Sequence, residues 1–546
     1  MQSPILPILI VGAGPTGLTL ANVLTRYGIA FRLIDKHAAP LELTKAAAIH
    51  ARALEIFAKV DVADTIVEEG QRVDILDLRT AQQDRLHLDF NELQHTSYPF
   101  MIDLPQFRTE QLLIDKLHEW GGTVERQVTL LDFTQHTDYV EVRLQHKDDQ
   151  GQEHEEVVLV RWLVGCDGAK SPVRQIAGLD FQGDAYADDW ALCDAIVDWP
   201  LPRNEMTFSS SAEGIYGVFP LPGEDRYRLA YTQNHDVQGN PIEPDIADAQ
   251  RAMERTGLPG RIREVSQFWV FNLAHRQVEQ YRDRRVFLVG DAAHVHTPFG
   301  GQGMNLGVAD AFNLGWKLAL VEQGHLNEAL LDSYHEERYG AAKNVVRNTH
   351  IGASAMLIRD SWQALLRDRT MDLINTTPEA IKRALYTLSQ LNHNYRGSTW
   401  THGNSEHMSA GDRAPNQQFY DGISERYLSI FDLLHSQSFT LLLLDSDKHR
   451  NTSALIDIAW QTAEEYGDIV QTHLISIKPQ TFNELPTTTT QWIDRGMKLT
   501  EYHQHGKQSA YLIRPDGHIT YIHQPANWQH LQSFLRKSLM TNKVMV

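Results

Sequence analysis

The chain has 546 residues, 42% of them hydrophobic, and its 70 acidic and 50 basic residues give a formal net charge of −20. This length predicts about three or four domains, and the negative charge disfavours nucleic acids and anionic membranes as partners. The cysteines, Cys166 and Cys193, are too few for a disulfide framework or a thiolate metal site. Because the N-terminus lacks a basic leader pattern and no run of about 18 apolar residues occurs, we predict a cytoplasmic protein without a metal site or a membrane partner.

The first motif lies near the N-terminus, where an apolar strand over residues 8–11 runs into Gly12-Ala13-Gly14-Pro15-Thr16-Gly17. A helical pattern and a second strand follow, and the strand ends at Asp35-Lys36. In such a turn the first glycine permits the tight bend, the second lets a pyrophosphate approach, and the third lets helix and strand pack closely. The acid at the second strand end suits a ribose 2′-hydroxyl and repels a 2′-phosphate. We therefore predict a dinucleotide site formed by Gly12, Gly14, Pro15, Thr16, Gly17, Asp35 and Lys36.

The second motif is a strand that ends in Asp167-Gly168, with Arg174 a short distance further on. Alone, this pattern is more typical of a strand followed by an Asx turn, with the arginine as a surface cation. Its order between the other two motifs favours a ligand-binding role.

The third motif is an apolar strand over residues 286–289 that ends in Gly290-Asp291. A proline and three glycines follow, at Pro298, Gly300, Gly301 and Gly303, before a helical pattern over 306–321. A glycine-rich turn at a helix N-terminus exposes backbone N–H groups to a ligand, and a carboxylate at the strand end accepts hydrogen bonds from sugar-type hydroxyls. This stretch predicts a flavin site.

Together the three motifs, over roughly residues 8–310, resemble the family of FAD-dependent aromatic hydroxylases, to which para-hydroxybenzoate hydroxylase and phenol hydroxylase belong. The resemblance implies FAD as cofactor, NAD(P)H as reductant, and O2 and an aromatic small molecule as substrates. It also implies that a flavin C4a-hydroperoxide transfers the hydroxyl group, and that Asp167, Gly168 and Arg174 serve both the flavin and the nicotinamide.

The same resemblance assigns roles to further residues. Gly290 and Asp291 would hold the ribityl chain, Gln106 would contact the flavin, and the backbone of Val128 would lie at the adenine edge. Lys45 stands where relatives often have an arginine, so it keeps the charge but loses the planar fork. In the glycine-rich loop, Pro298 would shape the oxygen pocket, and backbone N–H groups near the helix start would polarise the flavin pyrimidine; the residues concerned are Gly301, Gly303, Met304 and Asn305.

The base that would deprotonate a phenol stays open. Phenol hydroxylase has an aspartate shortly before the helix that begins here near Ala51, and this chain has Ala47 in that place. Candidate substitutes are His275, Arg276 and Tyr216, each of which also has an ordinary structural interpretation.

The predicted fold class is α/β. A Rossmann-like FAD-binding domain spans residues 1–180 and 275–400, and a mostly antiparallel substrate sheet is inserted at 181–274. Aromatic residues are frequent in this insert, and one or two of them are expected to line the substrate pocket: Trp190, Tyr216, Phe219, Tyr227, Tyr231, Phe268, Trp269 and Phe271.

A linker and a thioredoxin-like domain in βαβ-ββα order complete the chain at 401–546. No cysteine occurs beyond Cys193, so this domain cannot perform thiol chemistry, and we interpret it as structural or as part of a homodimer contact.

Three alternatives stay open to different degrees. A flavin-dependent halogenase shares the flavin motifs, but its Trp-x-Trp-x-Ile-Pro segment is absent. An enzyme that hydroxylates a polycyclic antibiotic would use the same core. A non-catalytic flavin-binding partner protein is disfavoured by the intact glycines and Asp291.

Overall fold

The computed structural model describes residues 5–41, 46–80, 85–148, 151–211, 213–233, 235, 238, 241–296, 299–356, 370, 374–446, 452–478, 482, 485–502 and 507–539. The strands are β1 (Leu6–Val11), β2 (Phe31–Asp35), β3 (Ala48–Ile49), β4 (Gln71–Val73), β5 (Ile75–Thr80), β6 (Arg85–Asp89), β7 (Met101–Asp103), β8 (Glu125–Arg126), β9 (Val128–Gln135), β10 (Val140–Lys147), β11 (Glu153–Gly165), β12 (Phe181–Asp198), β13 (Glu205–Ser211), β14 (Gly214–Pro220), β15 (Arg226–Thr232), β16 (Arg261–Val278), β17 (Arg282–Asp283), β18 (Val286–Leu288), β19 (His294–Val295), β20 (Gln418–Asp421), β21 (Arg426–Ser429), β22 (Phe439–Asp445), β23 (Val470–Ser476), β24 (Thr489–Ile493), β25 (Gln508–Ile513) and β26 (Ile519–His523). The helices are α1 (Pro15–Arg26), α2 (Ala51–Lys59), α3 (Ala63–Glu69), α4 (Gln106–Glu119), α5 (Pro172–Ile176), α6 (Ile246–Arg255), α7 (Gly303–Glu322), α8 (Ser333–Met356), α9 (Pro378–Leu388), α10 (Ile430–Leu433), α11 (Ser453–Tyr466) and α12 (Trp528–Ser538).

The first sheet has the order β17-β18-β11-β1-β2-β8, with β9 and β10 joined to it through β11. Strands β1, β2, β11 and β18 are parallel. Val11 lies beside Gly165, and Gly165 lies beside Leu288. The carboxyl ends of three parallel strands are therefore level, and the residues after each end meet at one edge, where ligands bind in open α/β sheets.

Helix α7 runs through the middle of this part of the molecule. Its residues 305–321 are all buried, as its nearly continuous apolar sequence predicts for a helix enclosed on every side. It packs against α1, α2 and α8. The helix N-terminus that follows the third motif is thus fixed by the core rather than by the surface.

The second sheet has the order β19-β16-β12-β15-β14-β13-β5-β6 and is antiparallel except for the β13–β5 pair. Strands β5 and β6 belong to it, although the sequence assigned residues 1–180 entirely to the FAD-binding domain. The sequence did not predict this pairing, because an alternating run shows that a strand exists but not which strand it pairs with. Helix α6, capped at its start by Asp245, covers the outer face.

The C-terminal sheet has the order β24-β23-β22-β25-β26, in which β22, β23 and β24 are parallel and the other pairs antiparallel. The predicted βαβ-ββα elements are present, with β24 as an additional strand. Their thioredoxin-like identity stays a prediction. The predicted linker is paired with β26, since His402 N donates to Thr520 O and Gly411 N to Ile519 O. Within the described residues, no helix is long and apolar enough to cross a membrane.

Candidate cofactor and substrate site

The three glycines of the first motif meet three different surroundings. Gly12 has φ +102°, and a Cβ on it would lie 2.4 Å from the Cys166 carbonyl oxygen. A Cβ on Gly17 would lie 1.9 Å from the Gly12 oxygen, whereas one on Gly14 would meet nothing within 4 Å. The first and third glycines are thus required by packing, and the second faces open space of the kind a pyrophosphate needs. Pro15 and Thr16 begin α1, whose N-terminal N–H groups face the same space.

Asp35 lies at the end of β2, beside this turn. Its two oxygens accept hydrogen bonds from Ala13 N and His37 N, both at 2.8 Å, so the carboxylate is fixed in orientation and keeps lone pairs for a ribose. Lys36 is exposed next to it, and Val128 is buried at the start of β9.

The Gly290-Asp291 turn follows β18. Gly290 has φ +63°, and the Thr16 hydroxyl oxygen lies 2.7 Å from its ideal Cβ position and 2.5 Å from that of Gly307. The side chain of Thr16 therefore fills the gap between the first and third motifs. Gly290 N donates to Asp310 Oδ2 at 3.2 Å, which fixes the turn, and the Asp291 side chain is exposed.

The loop before α7 is fixed through Asn305. Its Nδ2 donates to Ala48 O at 2.9 Å and to Gly301 O at 2.7 Å, and its Oδ1 accepts from His50 N at 2.8 Å. His50 Nε2 donates to Gly300 O at 2.6 Å, and burial lowers the pKa of His50 to about 4, so the imidazole is neutral. Gly303 and Met304 stand partly exposed at the first turn of the 20-residue helix α7, where free N–H groups favour an electron-rich ligand.

Arg174, on the helix α5 that follows the Asp167-Gly168 turn, reaches the residue after the Gly290-Asp291 turn. Arg174 donates to Ala292 O at 3.3 Å, and its guanidinium lies 3.8 Å from the centre of the Phe181 ring. Burial lowers the pKa of Arg174 and raises that of Asp167. Asp167 Oδ2 accepts from Val173 N at 3.0 Å, while its buried Oδ1 has no hydrogen-bond partner among the described residues. This orphaned oxygen fits a ligand that donates a hydrogen bond.

Gln106 is the first residue of α4 and donates through Nε2 to Glu110 Oε1 at 2.8 Å. Its backbone N donates to Ala46 O. Burial raises the pKa of Glu110 to about 7, although the hydrogen bond from Gln106 opposes this. Lys45 and Pro298 lie outside the described residues.

The structure separates the three candidate bases. Tyr216 stacks on Tyr231 with ring centres 5.3 Å apart, on the outer face of the second sheet under α6. This places it away from the flavin turns and speaks against its role as the phenol base. His275 and Arg276 lie on β16, where Arg276 pairs with Val295 of β19 just beyond the Gly290-Asp291 turn. These two therefore stay candidates.

The aromatic residues of the insert divide between the two faces of the second sheet. The outer face holds Tyr216, Tyr227, Tyr231 and Phe268. The inner face forms a cluster with Ala48, which touches the Gly301 loop, and with α9. Its aromatic members are Phe90, Tyr98, Trp190, Phe208, Phe219, Trp269, Phe271 and Tyr386. We call this set the inner-face cluster.

Sequence reasoning missed several buried polar residues. Asp310 and Arg338 form an ion pair inside the protein, and His294 joins it. Asp103, at the end of β7, is completely buried, and neither of its carboxyl oxygens has a hydrogen-bond partner among the described residues. Burial raises its pKa well above the ordinary value, and the charge of Arg228 offsets this only in part. In the sequence, Asp103 could be recognised only as a single acidic residue within an apolar run.

Comparison with known proteins agrees with this geometry. Residues 6–349 match the family model described as "FAD binding domain". A 6-methylpretetramide 4-monooxygenase from Streptomyces rimosus is 35% identical over 359 residues, 65% of this chain and 63% of that protein. An uncharacterized aromatic compound monooxygenase, YhjG from Bacillus subtilis, is 32% identical over 86% of this chain and 92% of its own length. The solved structure of the anhydrotetracycline hydroxylase OxyS from Streptomyces rimosus has a TM-score of 0.75 and 29% identity, and the alignment covers 97% of this chain and 98% of that one.

Glycine-rich turns meet at one edge of the first sheet, and the inner-face cluster of the second sheet lies beside the Gly301 loop. This arrangement is typical of a flavoprotein. The chain belongs to the FAD-binding domain family of flavin-dependent monooxygenases, and FAD is its cofactor. The resemblance to FAD-dependent aromatic hydroxylases is confirmed.

Proposed function

We propose that this enzyme hydroxylates a phenolic or polycyclic aromatic compound with NAD(P)H and O2, using the residues described above. The observation that carries the proposal is the level ending of β1, β11 and β18, which brings the three glycine-rich motifs together beside the inner-face cluster. The relatives named for their substrates act on 6-methylpretetramide and anhydrotetracycline.

FAD, when bound, supplies the redox chemistry that activates O2, and the protein supplies position and electrostatics. Gly14 and the start of α1 would bind the pyrophosphate, Asp35 the ribose, and Asp291 the ribityl hydroxyls. The first turn of α7, from Gly303 to Asn305, would place N–H groups against the flavin pyrimidine, where developing negative charge is stabilised.

The substrate would lie between the flavin and the inner-face cluster. Rings such as Trp190, Phe219 and Trp269 offer apolar area and stacking geometry, and they keep water away from the reacting atoms. His275 would deprotonate the substrate hydroxyl, or Arg276, which stays charged, would bind it. A cytoplasmic location, which the low cysteine count favours, and a homodimer contact through the C-terminal domain stay part of the proposal.

The test is a screen of phenols and polycyclic aromatics for stimulation of NAD(P)H oxidation by the FAD-loaded protein, with product mass as readout. We expect at least one compound to accelerate oxidation and to gain one oxygen atom. Tyr216→Phe is the matched control, because it removes a hydroxyl on the outer face and should leave turnover unchanged. Oxidation that no aromatic compound stimulates, or a product without added oxygen, would contradict the proposal.

A further inference from the structure

A chain of buried contacts runs beneath the Gly290-Asp291 turn. Asp310 on α7 accepts from Gly290 N at 3.2 Å and from His294 Nε2 at 2.6 Å through the same oxygen. Its other oxygen accepts from Arg338 Nε of α8 at 2.5 Å. Both Asp310 and Arg338 are almost wholly buried, at 0% and 1% exposure. Burial alone would raise the pKa of Asp310, but Arg338 and then His294 hold it below its ordinary value, so the carboxylate stays charged.

Arg338 is itself held from two further directions. Its guanidinium donates to Tyr395 Oη at 3.1 Å and to Leu306 O at 3.3 Å. The Leu306 bond reaches the first turns of α7, close to Asn305. One side chain therefore connects the turn after β18 with the helix start that follows the third motif.

Two side chains of the C-terminal domain, His518 and Arg514, lie against the Tyr395 ring. The His518 ring lies 4.0 Å from the Tyr395 ring, and the Arg514 guanidinium lies 5.0 Å from the same ring. Arg514 also donates to both oxygens of Glu337, the neighbour of Arg338 on α8, at 2.6 and 2.9 Å. The C-terminal domain thus binds Glu337 directly and reaches Arg338 through Tyr395.

We propose that Arg338 and Tyr395 are positioning residues for FAD binding, acting through Asp310 on the Gly290-Asp291 turn, and that the C-terminal domain holds them in place. The proposal rests on Asp291 being the ribityl ligand. Without Arg338, Asp310 would be a buried carboxylate with His294 as its remaining ionisable partner, and the turn would lose its fixed acceptor. FAD would then have to order the turn as it binds, which lowers affinity.

The test measures the FAD dissociation constant by fluorescence quenching, and the melting temperature of the FAD-free protein, for Arg338→Lys and Tyr395→Phe. Each variant loses a hydrogen bond that involves a charged group, and we expect this loss to raise the FAD dissociation constant about tenfold. Arg338→Met should bind FAD more weakly than Arg338→Lys, since Lys keeps the charge beside Asp310. Tyr502→Phe is the matched control, because its buried hydroxyl bonds to Pro415 O inside the C-terminal domain; its FAD affinity should not change.

A double-mutant cycle with Asp291→Asn separates positioning from general loss of stability. If Tyr395→Phe acts through the turn, its effect on FAD affinity should shrink in the Asp291→Asn background. Full additivity would overturn the proposal, as would a lower melting temperature with unchanged FAD affinity. If Arg338→Lys fails to fold, the Tyr395→Phe cycle decides alone. Unchanged FAD affinity in Asp291→Asn by itself would refute the ribityl assignment, and this inference with it.

Discussion

Arg514 connects the C-terminal domain to the FAD-binding domain, and its removal should destabilise the whole protein. The guanidinium, 1% exposed, bonds both oxygens of Glu337 and also pairs with Asp516. Lys317 lies 2.8 Å from Glu337, so in Arg514→Met the Glu337 carboxylate keeps one of its two cations. The Asp516 carboxylate loses the guanidinium with which it pairs. Removing one partner of a buried ion pair costs about 3–5 kcal/mol of unfolding free energy.

The assay is urea unfolding of the FAD-loaded protein, followed by far-UV circular dichroism and by flavin release. Arg396→Met is the matched control, because Arg396 pairs with Asp412 in similar two-oxygen geometry but its side chain is 58% exposed. An exposed pair contributes only about 0–1 kcal/mol. Equal loss of stability in the two variants would show that burial of the Arg514 network contributes nothing.

Three further predictions concern single residues. Gly14→Ala should fold but bind FAD at least about tenfold more weakly, since its Cβ would occupy the open space of the turn; Gly17→Ala should instead lower the melting temperature, because its Cβ would overlap the Gly12 oxygen. Equal melting temperatures of the two variants would contradict this. Burial raises the pKa of Asp103, so the folded state binds a proton more tightly than the unfolded chain and native stability falls as the pH rises above about 4, the ordinary pKa of an aspartate. Asp103→Asn has no proton to lose there, so its stability should exceed that of the native protein by a margin that widens with rising pH. A margin that does not change with pH would refute this assignment. Tyr216→Phe should keep its turnover with an aromatic substrate, and a large loss would restore Tyr216 as a candidate base.

The sequence identifies the turns of the proposed cofactor site because local rules determine their geometry. Gly12 and Gly290 are needed for positive φ values, and Asp35 ends a short apolar strand, so each position is recognisable within a few residues. The level ending of β1, β11 and β18 follows from parallel pairing once the strands are known.

Contacts between distant segments could not be predicted in this way. Arg338 meets Asp310 across 28 positions, and Arg514 meets Glu337 across 177; neither pair has a local signature. For the same reason the sequence did not predict that β5 pairs with β13, or that alternation along β14 turns Tyr216 to the outer face. An alternating strand pattern does not reveal which face meets the substrate.

We expect this chain to transfer one atom of O2 to an aromatic ring at the site between the Gly290-Asp291 turn and the inner-face cluster. Turnover under isotopically labelled O2, with NAD(P)H and the best aromatic compound from the screen, tests it most directly. We predict one labelled oxygen atom in the product of the native protein and little product from Asp291→Ala, which should lose FAD. Label in water but not in the aromatic product, or full product formation by Asp291→Ala, would contradict the account.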